Sequence, residues 1–173
     1  MTEVNLTVSV DAPAEKVWDV LADFSGFLNW AGGGAGEINI EGEGIGMVRH
    51  LKMSGDELAE RLTLLDPVNR RLGYDLVYGE PLGMKQYKAI IQVVDVGSVC
   101  EIVWKGEFDT GDPGSEDQAG VALSAAYEGM TAALVSYLDR WMLRGAAPKK
   151  SLGNYDKRRA SHSQTRVEKG LGR

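Results

Sequence analysis

Residues 37 to 109 read as six consecutive segments of alternating side chains, at about 37–43, 46–54, 57–66, 70–78, 85–95 and 98–109. Each is closed by a turn signal: Gly42 to Gly46, Ser54-Gly55-Asp56, Asp66-Pro67-Val68-Asn69, Gly79 to Gly83, and Gly97. Alternation with such short connections leaves a long antiparallel meander as the one economical arrangement. Three of the apolar rows carry an ionisable side chain: Arg49 among Met47, Leu51 and Met53; Glu60 among Leu58, Leu62 and Leu64; Tyr87 beside Ala89, Ile91 and Val93. Successive side chains point to opposite faces of a strand, so these three are expected to face inward with their apolar neighbours. Buried charges are costly unless paired, which predicts a cavity in which Arg49, Glu60 and Tyr87 serve one another, water or a ligand.

The flanks of the meander complete the architecture. Val4-Leu6-Val8-Val10 alternates with polar residues and predicts a half-buried strand. Pro13 and Glu15 mark a helix start, with Asp11 or Ala12 as cap, and that helix ends near Asp23. Phe24 to Trp30 predicts a second short helical piece, broken by the glycines that follow Ala31. Past Gly111-Asp112-Pro113-Gly114 the period becomes helical, with Leu123, Tyr127, Met130, Leu134, Tyr137 or Leu138, and Trp141 in one stripe, a start at Ser115 or Glu116 and a stop at Gly145. An antiparallel sheet can bury such a stripe by curling round it, leaving a hollow at the open end. The expected fold is therefore α+β: a seven-stranded curved antiparallel sheet wrapped round a long C-terminal helix, with two short helices after the first strand.

Charge divides the chain into an acidic body and a basic tail. Residues 145–173 carry a net +6 and residues 1–144 a net −12, within an overall −6. We expect a ligand-binding domain at 1–144 and a flexible tail at 145–173. A body this acidic excludes nucleic acid as the main partner, because phosphate binding needs a positive surface on the fold. No apolar run reaches the roughly 18 residues of a membrane span. The first residues lack the pattern of a signal peptide, and Cys100 has no intrachain partner, so the expected compartment is the cytoplasm and the expected assembly a monomer or homodimer.

The residue inventory narrows the chemistry. His50 and His162 are the only histidines, and no spacing suits a metal, so no metal or other cofactor is expected. The glycine-rich stretches lead into strands, not into a helix, and are turns, not phosphate loops. What remains is acid–base chemistry at Glu60, with Arg49 binding a carboxylate, enolate or sulfenate-like oxygen and Tyr87 donating a proton or hydrogen bond. The alternative is an internal Arg49–Glu60 pair capped by Tyr87 that only satisfies buried polar groups. Trp30, Leu62, Tyr74, Tyr78, Ala89, Trp104, Phe108, Tyr127 and Met130 are the candidate ligand-contacting residues. On the last strand alternation favours Trp104 and Ile102 facing inward, with Lys105 left as the other possibility.

The element order and particular residues resemble the START-like, or SRPBCC, superfamily with its helix-grip fold. The carrying pieces are Ala12-Pro13-Ala14-Glu15-Lys16-Val17-Trp18, Asp23-Phe24, Trp30, Gly46-Met47-Val48-Arg49, Glu60 to Asp66, Tyr74, Gly79-Glu80-Pro81-Leu82 and Tyr87. Within it the chain is most similar to the polyketide cyclase/dehydrase branch, and more distantly resembles lachrymatory factor synthase and the plant abscisic acid receptors. The resemblance implies a hydrophobic small-molecule ligand, catalysis of the cyclase or dehydratase kind, and pocket roles for Arg49, Glu60 and Tyr87; its non-catalytic members imply a carrier or sensor instead. The chain departs from the receptors at Ala31, where they have a lysine for the hormone carboxylate, and at Pro81-Leu82-Gly83-Met84. Ser54-Gly55-Asp56 also replaces their longer gate loop.

Overall fold

The computed structural model describes residues 1–32, 35–143 and 145; the basic tail expected at 145–173 lies outside the described residues except for Gly145. The chain forms β1 (Thr2–Val10), α1 (Ala14–Leu21), a 3-10 turn (Phe24–Gly26) and α2 (Phe27–Trp30). Then come β2 (Glu37–Glu41), β3 (Val48–Met53), β4 (Asp56–Asp66), β5 (Arg71–Tyr78), β6 (Gln86–Asp95), β7 (Cys100–Asp109) and α3 (Glu116–Leu143). All seven strands join one antiparallel sheet in the order β1-β7-β6-β5-β4-β3-β2. This is the helix-grip architecture expected from the pattern.

Local chemistry explains the small departures from expectation. The cap of α1 is Pro13, not Asp11 or Ala12, and its carbonyl accepts from the amides of Lys16 and Val17 at 3.0 and 3.3 Å. The β3–β4 connection turns on Ser54 and Gly55, both with positive φ (53° and 94°), which makes a tight two-residue hairpin. Two register irregularities bend the sheet: Thr63 is an extra residue of β4 opposite β5, and Val77 an extra residue of β5 opposite β4. A bulge reverses the alternation beyond it. Leu65 therefore packs against the core where Leu64 was expected.

The core lies between the concave face of the sheet, α1 and α3. Ala119, Leu123, Tyr127, Thr131, Leu134 and Leu138 form the buried stripe of α3, spaced at three and four residues. By length and composition α3 is apolar enough to cross a bilayer, but in this fold it is the helix gripped by the sheet. Trp104 and Ile102 face inward and Lys105 outward, as alternation favoured.

Candidate functional site

Arg49 and Glu60 are direct cross-strand partners on β3 and β4, which places their side chains side by side on the concave face. Both are buried, at 4% and 6% exposure. The Arg49 Nε donates to Glu60 Oε2 at 2.8 Å, and Nη2 forms an ion pair with the same oxygen at 2.7 Å. Nη1 donates to the Phe24 carbonyl at 3.1 Å. The guanidinium carbon lies 4.0 Å from the Phe24 ring centroid, 4.3 Å from that of Phe27 and 5.1 Å from that of Tyr74. Arg49 is thus paired, hydrogen-bonded to the segment after α1, and caged by three aromatic rings. A guanidinium has five N–H donors; with three engaged, two have no acceptor among the described residues.

The third expected residue belongs to a separate network. Tyr87 Oη lies 2.8 Å from Tyr127 Oη and 3.4 Å from Tyr74 Oη. Space for this cluster comes from Ala89 and Gly106, paired across β6 and β7. A Cβ on Gly106 would fall on the Tyr127 hydroxyl, so the small residues form the dent into which α3 presses that ring. Tyr127 also stacks on Trp104 at 4.9 Å, and the Trp104 indole donates to Thr131 Oγ1 at 3.0 Å, tying the dent to α3. Burial pushes all three tyrosine hydroxyls above the ordinary range, that of Tyr127 to about 12. For Tyr74 the next cause is the negative charge of Glu60, which outweighs the relief from Arg49.

Between these groups lies a cavity with about 10 Å³ open to a water-sized sphere, room for about one water. The hollow expected at the open end is therefore largely filled by the protein's own side chains. Leu21, Asp23, Phe24, Phe27 and Trp30 wall it from one side. Arg49, Leu72, Tyr74, Ile91 and Trp104 wall it from the sheet, and Met130 from α3. Of the three expected catalytic residues only Arg49 is in the wall; Glu60 stands behind Arg49, and Tyr87 behind Tyr74.

Of the expected ligand-contacting residues, Trp30, Tyr74, Trp104 and Met130 are in the wall. Leu62, Ala89, Phe108 and Tyr127 are buried in the core around it. Tyr78 is a correction: it is 64% exposed, because the extra residue Val77 rotates the end of β5 and turns Tyr78 to the outer face. Sequence reasoning missed Leu21, Asp23, Leu72 and Ile91 as wall residues, and with them Phe24 and Phe27. The signal for the last two was present in Phe24, Phe27 and Trp30, spaced three apart so as to share one face of a helical segment. Among the described residues no three His, Cys, Asp or Glu side chains cluster as a metal centre requires.

A family model described as polyketide cyclase / dehydrase and lipid transport matches residues 1–139. Solved structures with the same fold include norcoclaurine synthase from Thalictrum flavum, at 20% identity and a TM-score of 0.66 over 82% of this chain and 96% of that one. A Thermobifida fusca protein shares 27% identity, with a TM-score of 0.64 over 81% and 95% of the two chains. An aromatase/cyclase, Zhui, from Streptomyces sp. R1128 shares 26%, with a TM-score of 0.62 over 84% and 96%. No curated protein sequence matches the chain. With a seven-stranded grip on α3 and a family match spanning almost all the described residues, the chain belongs to the polyketide cyclase/dehydrase and lipid transport family.

Proposed function

We propose that the protein binds a hydrophobic small molecule against the Arg49 end of the hollow. There it acts as a polyketide cyclase/dehydratase-like enzyme through the acid–base chemistry of its own side chains. The observation that carries this reading is the caged Arg49, a buried guanidinium on the wall of an aromatic cavity with two N–H groups unengaged. Those donors are suited to hydrogen-bond the carbonyl oxygen of a ligand and so to orient and polarise it. Glu60 supplies the base and Tyr87, through Tyr74, the hydroxyl donor. The family description and the cyclase neighbour support cyclase or dehydratase chemistry.

A cavity this small admits a ligand only after side chains withdraw. The Phe24–Trp30 segment is the piece to move, because it contributes Phe24, Phe27 and Trp30 to the wall and meets Arg49 through one carbonyl bond and two ring faces. We include a cytoplasmic setting in the proposal, on the ground that Cys100, the single cysteine of the sequence, can form no intrachain disulfide.

A non-catalytic carrier or sensor is the second reading, favoured by the position of Glu60 behind Arg49 and off the cavity wall. Native mass spectrometry of the purified protein, with identification of any retained small molecule, supplies the compound for the deciding assay. Glu60→Gln is expected to abolish its conversion and leave its binding nearly intact. Unchanged conversion refutes the enzymatic role of Glu60, and binding without conversion in the parent protein selects the carrier.

A further inference from the structure

The charges around the cavity do not sum to an anion site. Arg49 is the one cation of the wall among the described residues, and its charge is already met by Glu60. Asp23, on the same wall, adds a second carboxylate, held by the Gly26 amide at 3.0 Å and the Ser25 hydroxyl at 2.6 Å. Arg49, Glu60 and Asp23, the last of them part-buried, together leave a net charge of minus one beside a small, aromatic, partly hydrated space. In such surroundings an added carboxylate loses its water and meets uncompensated negative charge.

We infer that the site selects an uncharged, flat aromatic ligand bearing a carbonyl or hydroxyl oxygen, and rejects the corresponding carboxylate. This rests on the ligand-binding reading above and specifies its substrate class. The unengaged Arg49 N–H groups give the ligand oxygen hydrogen bonds without offering it a free positive charge. Phe24, Phe27, Tyr74 and Trp104 give the ring flat neighbours. The field at Tyr74 agrees in sign: Glu60 raises the affinity of its hydroxyl for the proton more than Arg49 lowers it. Glu60 is then a specificity-determining residue through its effect on Arg49, whatever part it has in turnover.

The test compares two probes of equal size, 2-acetonaphthone and 2-naphthoate, by isothermal titration with the full chain. The ketone is expected to bind at least about tenfold tighter, on the order of what one uncompensated charge costs in a partly hydrated site. In Glu60→Gln the Arg49 charge is unmasked, and naphthoate is expected to gain at least about tenfold relative to the ketone. Asp23→Asn, which keeps a capping side chain for Gly26, guards against a folding defect in the first variant, and should shift the ratio the same way by a smaller factor. Naphthoate binding as tightly as the ketone to the parent protein overturns the inference and leaves the ligand-binding reading standing. A ratio unmoved in both variants also overturns it. Failure of both probes to bind contradicts the ligand-binding reading itself.

Discussion

The Arg49–Glu60 pair predicts a strongly non-additive stability cycle. Both side chains are almost fully buried and meet through one hydrogen bond and one close ion-pair contact, both to Oε2. Removing one partner strands the other charge, which typically costs about 3–5 kcal/mol. Arg49→Met leaves Glu60 among apolar neighbours and deprives the Phe24 carbonyl of its donor, adding about 1 kcal/mol. Glu60→Leu leaves a guanidinium that still has the Phe24 carbonyl and three ring faces, so its cost falls near the lower bound. The double variant strands no charge and exchanges the desolvation of two ions for packing, so it is expected within about 1–2 kcal/mol of the parent. The coupling between the two sites is then at least about 3 kcal/mol. Urea unfolding followed by far-ultraviolet circular dichroism measures all four proteins, and for a chain of this size each single variant should lose roughly 10 °C in melting temperature. Additive losses, with the double variant the least stable, would refute the claim that each charge is held in the core by the other.

Other consequences are independent of that pair. Below pH 10 the three buried tyrosines are neutral in folded and unfolded chains alike, and burial raises their folded values. Between pH 10 and about 12 the unfolded chain releases protons that the folded one retains. Stability should therefore fall by up to about 1.4 kcal/mol per pH unit per tyrosine, with these three absent from the early phase of an absorbance titration at 295 nm. Early ionisation of all the tyrosines without unfolding would contradict their burial. Gly106→Ala should cost about 1–3 kcal/mol by driving Tyr127 off Tyr87, and Tyr127→Phe should recover part of that loss in the double variant; equal costs in both backgrounds would count against the dent. Tyr78→Ser should leave the affinity for 2-acetonaphthone unchanged, since that ring is on the outer face, whereas a loss would place it in the site.

The gross fold was legible because alternation and turn chemistry repeat at every strand. Predicted strand bounds match to within about two residues, as at 57–66 against Asp56–Asp66 and 98–109 against Cys100–Asp109. The inward facing of Arg49, Glu60 and Tyr87 followed from the same rule. What alternation could not foresee was a residue added to one strand of a pair. Thr63 and Val77 each add one, and the phase error moved Leu64 and Tyr78 to faces they do not occupy. The convergence of the three residues was also invisible. Strand rows give a face but not a reach, so the sequence could not show that Tyr87 joins Tyr74 and Tyr127 while Arg49 reaches back to Phe24. The filling of the cavity by Phe24 and Phe27 has the same origin, being a contact between segments 25 residues apart.

The measurement that bears most directly on the account is a ¹H–¹⁵N correlation spectrum recorded during titration with 2-acetonaphthone. The predicted shifts concentrate on the amides of Phe24 to Trp30, the Arg49 Nε–H and the indole N–H groups of Trp30 and Trp104. Shifts confined to exposed residues such as Tyr78 and Leu82, with Arg49 and the Phe24–Trp30 segment unmoved at saturation, would contradict a ligand site beneath that segment.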